Sequence, residues 1–177
     1  MDIAIVKYNA GNIQSVKYAL NRLGCEPFVT GDPELLHKAD KVIFPGVGEA
    51  STAMQYLKNH KLDVVLKSLK QPVLGICLGL QLMCKHSEEN NTDCLGIFDI
   101  LVKRFPNVGL KVPQMGWNSV YDLKSPLFEG IKENSYMYFV HSYYAELSEH
   151  TAAKCNYASE FSASLHKDNF YAVQFHT

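Results

Sequence analysis

The chain has 177 residues, 47% of them hydrophobic, and its 17 basic and 18 acidic side chains give a net charge of −1. This size predicts a single domain, residues 1–177, with a substantial core. The even charge excludes the basic surface of a protein that binds nucleic acid or anionic membranes. The sequence also shows no signal peptide and no apolar run near the roughly 18 residues of a membrane span. These features predict a cytoplasmic protein.

The first half of the chain alternates short apolar strands with helical patterns. Strands are predicted over residues 2–8, 27–30, 41–44 and 72–74, and helices over 12–23, for one turn from 32, over 51–70 with a break near Asn59, and over 78–86. Gly24 after the first helix is a typical C-cap. A βαβ series of this kind predicts a parallel sheet covered by helices on both faces.

The second half of the chain, from about Gly96, is richer in strands. Short β-branched and aromatic segments, such as residues 136–140 and 170–175, are separated by turn residues. We therefore expect an α/β fold whose central sheet is mostly parallel, with additional antiparallel strands in the second half.

The segment Gly75-Ile76-Cys77-Leu78-Gly79 joins a predicted strand to a predicted helix. This pattern is typical of a nucleophile elbow, in which the flanking glycines allow a sharp turn that exposes the central residue at the helix N-terminus. There the thiol of Cys77 is expected to ionise, because the helix end lowers a cysteine pKa from about 8.5. The alternative, a buried inert cysteine, does not require a glycine on each side.

A nucleophile in this position needs a base and donors for an oxyanion. His176 follows the last predicted strand and is the first candidate for the base, with His141 as its rival at the end of another strand. Leu78 supplies the usual first backbone donor of an elbow. A second donor is expected from the loop 44–48, which could otherwise be an ordinary βα turn and lacks the Lys-Ser/Thr of a phosphate-binding loop.

Neither a metal site nor a disulfide framework is indicated. The five cysteines, at positions 25, 77, 84, 94 and 155, include no C-x-x-C pair, and the seven histidines include no H-x-x-x-H or H-E-x-x-H pair. Reduced thiols fit the expected cytoplasmic compartment, and no cofactor is expected.

Three motifs together resemble the class I glutamine amidotransferases, which have a flavodoxin-like fold. They are Pro45-Gly46-Val47-Gly48, Gly75-Ile76-Cys77-Leu78-Gly79-Leu80-Gln81 and Val173-Gln174-Phe175-His176. Further segments, at residues 8–12, 87–89, 115–118 and 138–143, are similar to the glutaminase subunits of imidazole glycerol phosphate synthases of histidine biosynthesis. The resemblance extends from the first strand to the last residue.

The resemblance implies a reaction and a set of roles. Cys77 would attack the side-chain amide of L-glutamine, His176 would carry the proton to the departing ammonia, and water would release glutamate. The oxyanion would be stabilised by the backbone of Leu78 and of Val47 or Gly48. The amino-acid end of glutamine would be bound by the side chains of Gln81 and Glu89 and by the backbone of Ser142 and Tyr143.

The resemblance also implies a protein partner. The ammonia would pass to a cyclase with a (β/α)₈ barrel that forms imidazole glycerol phosphate and AICAR, and the face towards it would carry Asn12, Met115, Trp117 and Tyr138. From the residues alone, Trp117 and Tyr138 are predicted to be core aromatics.

Members of the family continue after the histidine with a glutamate that completes the triad, so a third triad acid is expected after Thr177 and the chain is expected to be truncated there. Two other functions stay open. One is a catalytically disabled glutaminase-like binding or regulatory subunit. The other is a different Cys-His α/β hydrolase, DJ-1-like or γ-glutamyl hydrolase-like, against which Gln81 and residues 115–118 argue.

Overall fold

A computed structural model describes residues 1–176 of the chain, and Thr177 lies outside the described residues. The helices and strands in chain order are β1 (Ile3–Val6), α1 (Ile13–Arg22), β2 (Phe28–Thr30), α2 (Pro33–Lys38), β3 (Lys41–Gly46), α3 (Ala50–Asn59), α4 (Leu62–Ser68), β4 (Val73–Cys77), α5 (Leu78–Met83), β5 (His86–Ser87), β6 (Thr92–Asp93), β7 (Leu101–Arg104), β8 (Gln114–Val120), β9 (Ser135–His141), β10 (Tyr143–Ala145), β11 (Thr151–Tyr157), β12 (Ser159–Lys167) and β13 (Phe170–Val173).

The central sheet has seven strands in the order β11-β12-β13-β4-β3-β1-β2. The five strands from β13 to β2 are parallel, whereas β12 is antiparallel to β13 and β11 is antiparallel to β12. A four-stranded sheet, β10-β7-β5-β6, and the β8–β9 hairpin complete the strands. The predicted α/β fold, mostly parallel with antiparallel additions from the second half, is confirmed.

Helices cover both faces of the parallel strands, as predicted. Ile3 and Ile5 of β1 pack in one apolar cluster with Val16 of α1. The intervening Ala4 points the other way and belongs to a second cluster, which includes Leu57 of α3. This alternation follows from the two-residue period of a strand. Among residues 1–176 no helix is long and apolar enough to cross a membrane.

Polar caps set the helix starts in the first half. The Asn12 side chain accepts the Ser15 N–H at 3.2 Å at the start of α1, and Asp32 accepts the Glu34 N–H at 2.8 Å at the start of α2. The predicted break in the helix 51–70 is confirmed, since α3 ends at Asn59 and Lys61 adopts a φ of 57°. Capping of this kind satisfies backbone donors that have no partner inside the helix.

The helix predicted over residues 78–86 is shorter in the structure, where α5 ends at Met83. The chain leaves the helix because its backbone groups bond elsewhere: the Cys84 carbonyl accepts the Gly96 N–H at 2.8 Å, and the Lys85 N–H donates to Ile100 at 3.0 Å. His86 then pairs with neighbouring strands as part of β5. Tertiary strand pairing thus overrides the local helical pattern.

Helix α5 lies directly against the end of β3. A Cβ on Gly79 would lie 2.1 Å from the carbonyl oxygen of Phe44, and a Cβ on Gly46 would lie 2.7 Å from the backbone nitrogen of Gly79. No side chain fits between two backbones at this separation. Glycine at position 79 is therefore a packing requirement.

We predict that Gly79→Ala destabilises the protein by more than about 3 kcal/mol, because the new methyl group meets backbone that cannot rotate away. Urea unfolding followed by circular dichroism measures the loss. Gly11→Ala is the matched control, since its Cβ would make only ordinary contacts of 3.4 Å or more. Equal stability of the two variants would contradict the close packing of α5 on β3.

Candidate active site

Cys77 stands at the junction of β4 and α5 in a strained backbone conformation, with φ 55° and ψ −108°. A non-glycine residue with positive φ is uncommon, and a sharp strand-to-helix turn of this kind is the geometry of a nucleophile elbow. The flanking glycines do not act through a positive φ of their own, since neither Gly75 nor Gly79 has one. They provide space instead: a Cβ on Gly75 would lie 2.9 Å from the Met83 sulfur.

A pocket of about 590 Å³ opens at the carboxyl ends of β3 and β4, the edge where ligands bind in parallel sheets. It brings together eleven of the thirteen predicted site residues: Cys77, His176, Val47, Gly48, Leu78, Gln81, Glu89, Ser142, Tyr143, Asn12 and Tyr138. Met115 and Trp117 do not line it. The volume is within the range of small-molecule sites.

The thiol of Cys77 is buried, with 7% of the residue exposed. Burial raises its pKa to about 12, although the Leu78 N–H and the Gln174 side chain act in the opposite direction, and Glu89 adds a further increase. The expectation of an exposed thiol was therefore wrong, and burial opposes the expected ionisation. Desolvation of the charged form outweighs the donors at the start of a helix of only six residues.

His176 reaches the pocket from the segment after β13, where its backbone N–H donates to the Tyr138 carbonyl at 3.0 Å. Burial lowers the pKa of its imidazole, and the Val140 carbonyl partly offsets this. Within residues 1–176 no hydrogen bond joins His176 to Cys77; the thiol donates instead to the Val140 carbonyl at 3.9 Å. The neutral imidazole can accept a proton.

His141, the rival base, has both ring nitrogens engaged. Nδ1 donates to the Tyr143 carbonyl oxygen at 2.7 Å, so Nε2 of the neutral ring is the acceptor, with the Gln114 side-chain amide 3.1 Å away. Burial lowers the pKa of His141 to about 4. Its ring packs against Phe105 and Phe161. These contacts favour a structural role for His141 and leave His176 as the candidate base.

Glu89 provides the negative charge in the pocket. Its carboxylate accepts the Ala50 N–H, at the start of α3, at 2.9 Å. Burial raises the pKa of Glu89, the Ala50 bond lowers it, and the nearby Glu49 raises it further. A half-buried carboxylate of this kind is suited to a ligand's ammonium group. Among residues 1–176 no group of three or more His, Cys, Asp or Glu side chains could hold a metal ion.

Gln174 is a site residue that the sequence predictions did not include. It is fully buried, and its Nε2 lies 3.6 Å from the Cys77 sulfur. Its Oε1 accepts a hydrogen bond from Gln81 Nε2 at 3.0 Å. The available signal was a polar side chain within the apolar segment 170–175, because a buried amide needs hydrogen-bond partners.

The β8–β9 hairpin presents an aromatic surface beside the pocket. Trp117 is 70% exposed, Tyr138 37% and Met115 59%, and the rings of Trp117 and Tyr138 are in edge contact with centroids 5.6 Å apart. The prediction of core aromatics from the residues alone was wrong. An exposed patch of this kind is typical of a protein interface, as the resemblance implied.

Tyr8 anchors the loop that carries Val47 and Gly48. Its hydroxyl donates to the Pro45 carbonyl at 2.7 Å in the buried region beneath the pocket. Burial raises the pKa of Tyr8, and the neighbouring Cys77 raises it further, so the hydroxyl stays protonated and remains a donor. The bond fixes the backbone two residues before Val47.

Comparison with known proteins gives a consistent family. The model of the family "Glutamine amidotransferase class-I" matches residues 4–177. The chain is 62% identical to imidazole glycerol phosphate synthase subunit HisH of Bacteroides fragilis and 47% identical to that of Escherichia coli, in each case over 99% of this chain and 91% of the relative. A solved glutamine amidotransferase has a TM-score of 0.76 at 19% identity, over 98% of this chain and 89% of that one.

We predict that Tyr8→Phe destabilises the protein by about 1–3 kcal/mol, because the buried Pro45 carbonyl loses its donor. Chemical denaturation measures the change. Tyr56→Phe is the matched control, since no hydrogen bond of the Tyr56 hydroxyl is present within the described residues. If Tyr8→Phe were as stable as the control, the anchoring role of the hydroxyl would be refuted.

Proposed function

We propose a function from one premise, which is that this chain belongs to the class I glutamine amidotransferase family. It is the glutaminase subunit of an imidazole glycerol phosphate synthase: it hydrolyses L-glutamine to glutamate and ammonia and delivers the ammonia to a cyclase partner in histidine biosynthesis. Relatives 47–62% identical over nearly the whole chain carry the name of that subunit.

The observation that carries the chemistry is one pocket that joins a strained Cys77 to His176. The Cys77 sulfur attacks the side-chain amide carbon of glutamine, and His176 takes the thiol proton. The tetrahedral oxyanion collapses to a thioester, and His176 passes the proton to the departing ammonia. Water then attacks the thioester, which releases glutamate and restores the thiol.

The tetrahedral oxyanion needs donors that are fixed before the reaction. The Leu78 N–H follows the nucleophile and already acts on the Cys77 sulfur. The loop of Val47 and Gly48 lines the same pocket from the end of β3. In comparable acyl-transfer sites each such donor contributes roughly 3–4 kcal/mol to the barrier reduction. We assign the oxyanion to the Leu78 N–H and to an N–H of Val47 or Gly48.

The α-ammonium and α-carboxylate of glutamine require opposite partners. Glu89 presents a carboxylate and Gln81 an amide to the pocket, and we assign both to the ammonium end. The backbone at Ser142 and Tyr143, between β9 and β10, lines the same pocket. We assign it to the substrate carboxylate.

The cyclase partner is proposed to dock on the hairpin surface formed by Met115, Trp117 and Tyr138, with Asn12 at the adjoining pocket rim. This position is supported by the backbone of β9. The Tyr138 carbonyl accepts the His176 N–H, and the Val140 carbonyl accepts the Cys77 thiol. A partner that moves β9 therefore acts on both reacting groups. We expect glutamine hydrolysis to be stimulated by the partner.

The five free thiols support a reducing, cytoplasmic compartment.

A binding or regulatory subunit without activity is the second candidate. It is favoured by one observation, the buried thiol that bonds to the Val140 carbonyl rather than to His176. The two candidates differ in one measurable property, which is cysteine-dependent release of glutamate in the presence of a cyclase.

We predict that the full-length protein releases glutamate from glutamine when a cyclase subunit is present, and that Cys77→Ala lowers kcat by a factor on the order of 10⁶, as loss of a catalytic nucleophile does. A coupled glutamate assay measures both. Cys25→Ala is the control, because Cys25 lies outside the pocket. If no glutamate were released with any cyclase, the binding subunit would be the remaining candidate. If glutamate release persisted in Cys77→Ala, the thioester mechanism would be excluded.

We predict that Glu89→Gln raises KM for glutamine about tenfold or more, because a charged hydrogen bond to the ammonium is lost. The carboxylate is charged above its pKa, which burial raises. Wild-type KM should therefore rise as pH falls through this raised pKa, and the variant should lose this dependence. Initial rates across that pH range test it. Glu88→Gln is the control, since Glu88 bonds to the Arg104 N–H outside the pocket.

A further inference from the structure

We propose that Gln174 is a positioning residue that holds a hydrogen-bond donor on the Cys77 sulfur, and that the Tyr143 carbonyl sets the direction of this bond through Gln81. The proposal deepens the proposed function and rests on it in one respect, that Cys77 is the nucleophile. The two side chains involved, Gln81 and Gln174, are both buried amides.

The direction of the chain of hydrogen bonds follows from its first member. The carbonyl oxygen of Tyr143 can only accept, so the Gln81 atom 2.9 Å away is the donor Nε2. The same Nε2 lies 3.0 Å from Gln174, whose atom there must be the acceptor Oε1. The other end of the Gln174 amide is then Nε2, 3.6 Å from the Cys77 sulfur. This series of hydrogen bonds therefore ends with the Gln174 amide donating to the Cys77 sulfur.

A donor in this position favours the thiolate over the thiol. A thiolate accepts hydrogen bonds strongly, whereas the sulfur of a thiol is a weak acceptor. Gln174 lowers the pKa of Cys77 in opposition to burial, and so does the Leu78 N–H. Gln174 has no exposed surface and Gln81 is 5% exposed, so water does not take the place of this donor.

Four other titratable groups face Cys77, and none of them supplies a positive charge. Glu89 after β5 disfavours a negative charge on Cys77, and Tyr8 after β1, whose pKa burial raises, stays protonated and carries no charge. His141 on β9 and His176 after β13 line the same pocket, and burial lowers the pKa of both imidazoles. Neutral donors therefore carry the stabilisation of the thiolate in this site.

The same series of hydrogen bonds connects the Cys77 thiol to the part of the pocket assigned to the amino-acid end of glutamine. Gln81 donates towards both Tyr143 and Gln174, so its free group is the side-chain oxygen, and Gln81 lines the pocket. An amide oxygen accepts hydrogen bonds, which suits an ammonium donor. The Gln81 side chain thus fixes the orientation of the Gln174 donor at the thiol and also presents an acceptor to the amino-acid end of glutamine.

The test is the rate at which iodoacetamide alkylates Cys77 in the full-length Gln174→Met protein, followed by mass spectrometry of the Cys77 peptide. Loss of a bond to a charged group should raise the thiol pKa by about one unit. The thiolate fraction then falls about tenfold, and the greater nucleophilicity of the less stabilised thiolate offsets only about threefold of this loss, so alkylation should become about threefold slower. A merely structural defect would open the site and speed alkylation, so the sign separates the two roles.

Gln114→Met is the matched control. Gln114 is another buried glutamine, and it contacts His141 rather than the Cys77 thiol. It should leave the alkylation rate of Cys77 unchanged. A folded Gln174→Met protein that alkylates at the wild-type rate or faster overturns the proposal.

Should Gln174→Met fail to fold, Gln81→Met tests the same chain of bonds. Without Gln81 the Gln174 amide is free to turn its oxygen towards sulfur, so alkylation should again slow. An unchanged or faster rate in that variant also overturns the proposal.

Steady-state kinetics with the cyclase separate this proposal from the proposed function. Gln174 does not line the pocket, so Gln174→Met should lower kcat and leave KM for glutamine unchanged. Failure of the wild-type protein to hydrolyse glutamine would refute the proposed function, while the alkylation result would still decide the role of Gln174. A higher KM with an unchanged kcat would overturn the positioning role.

Discussion

The backbone contact between α5 and β3 is the constraint on which the site depends. With the Phe44 carbonyl only 2.1 Å from where a Cβ on Gly79 would be, the helix after the nucleophile cannot move independently of the strand before the Val47–Gly48 loop. Gly46 is paired with Cys77 in the register of β3 and β4. The nucleophile is therefore fixed relative to the strand that leads into the loop proposed to bind the oxyanion, and electrostatic catalysis requires fixed positions of this kind.

The same close packing creates the central conflict of the site. It excludes water, which strengthens every donor that points at the sulfur, but it also desolvates the thiolate and raises the pKa of Cys77 to about 12. A thiol in such an environment is not expected to ionise before the substrate arrives. In the proposed mechanism the proton leaves as the sulfur attacks, with His176 as the acceptor, so the charge that forms is passed to the oxyanion and its proposed donors.

The sequence predicted the architecture better than the electrostatics. Local patterns were sufficient for the βαβ order, for the helices that begin beside Asn12 and Asp32 and for the elbow at Cys77, because each depends on neighbouring residues. The burial of Cys77 and the short α5 depend on distant segments, which pattern alone does not reveal. Trp117 was misplaced for a related reason: alternation along a hairpin indicates two faces but not which one is left uncovered.

The strain at Cys77 bears on the choice between an enzyme and a binding subunit. A non-glycine residue with φ 55° costs roughly 1–3 kcal/mol, which the surrounding structure must offset. Docking of a partner on Trp117 and Tyr138 requires neither this conformation nor a buried amide aimed at sulfur. Both features meet at the Cys77 sulfur, which lies 3.6 Å from the Gln174 amide nitrogen. The energetic cost is therefore explained by chemistry at that atom and not by binding.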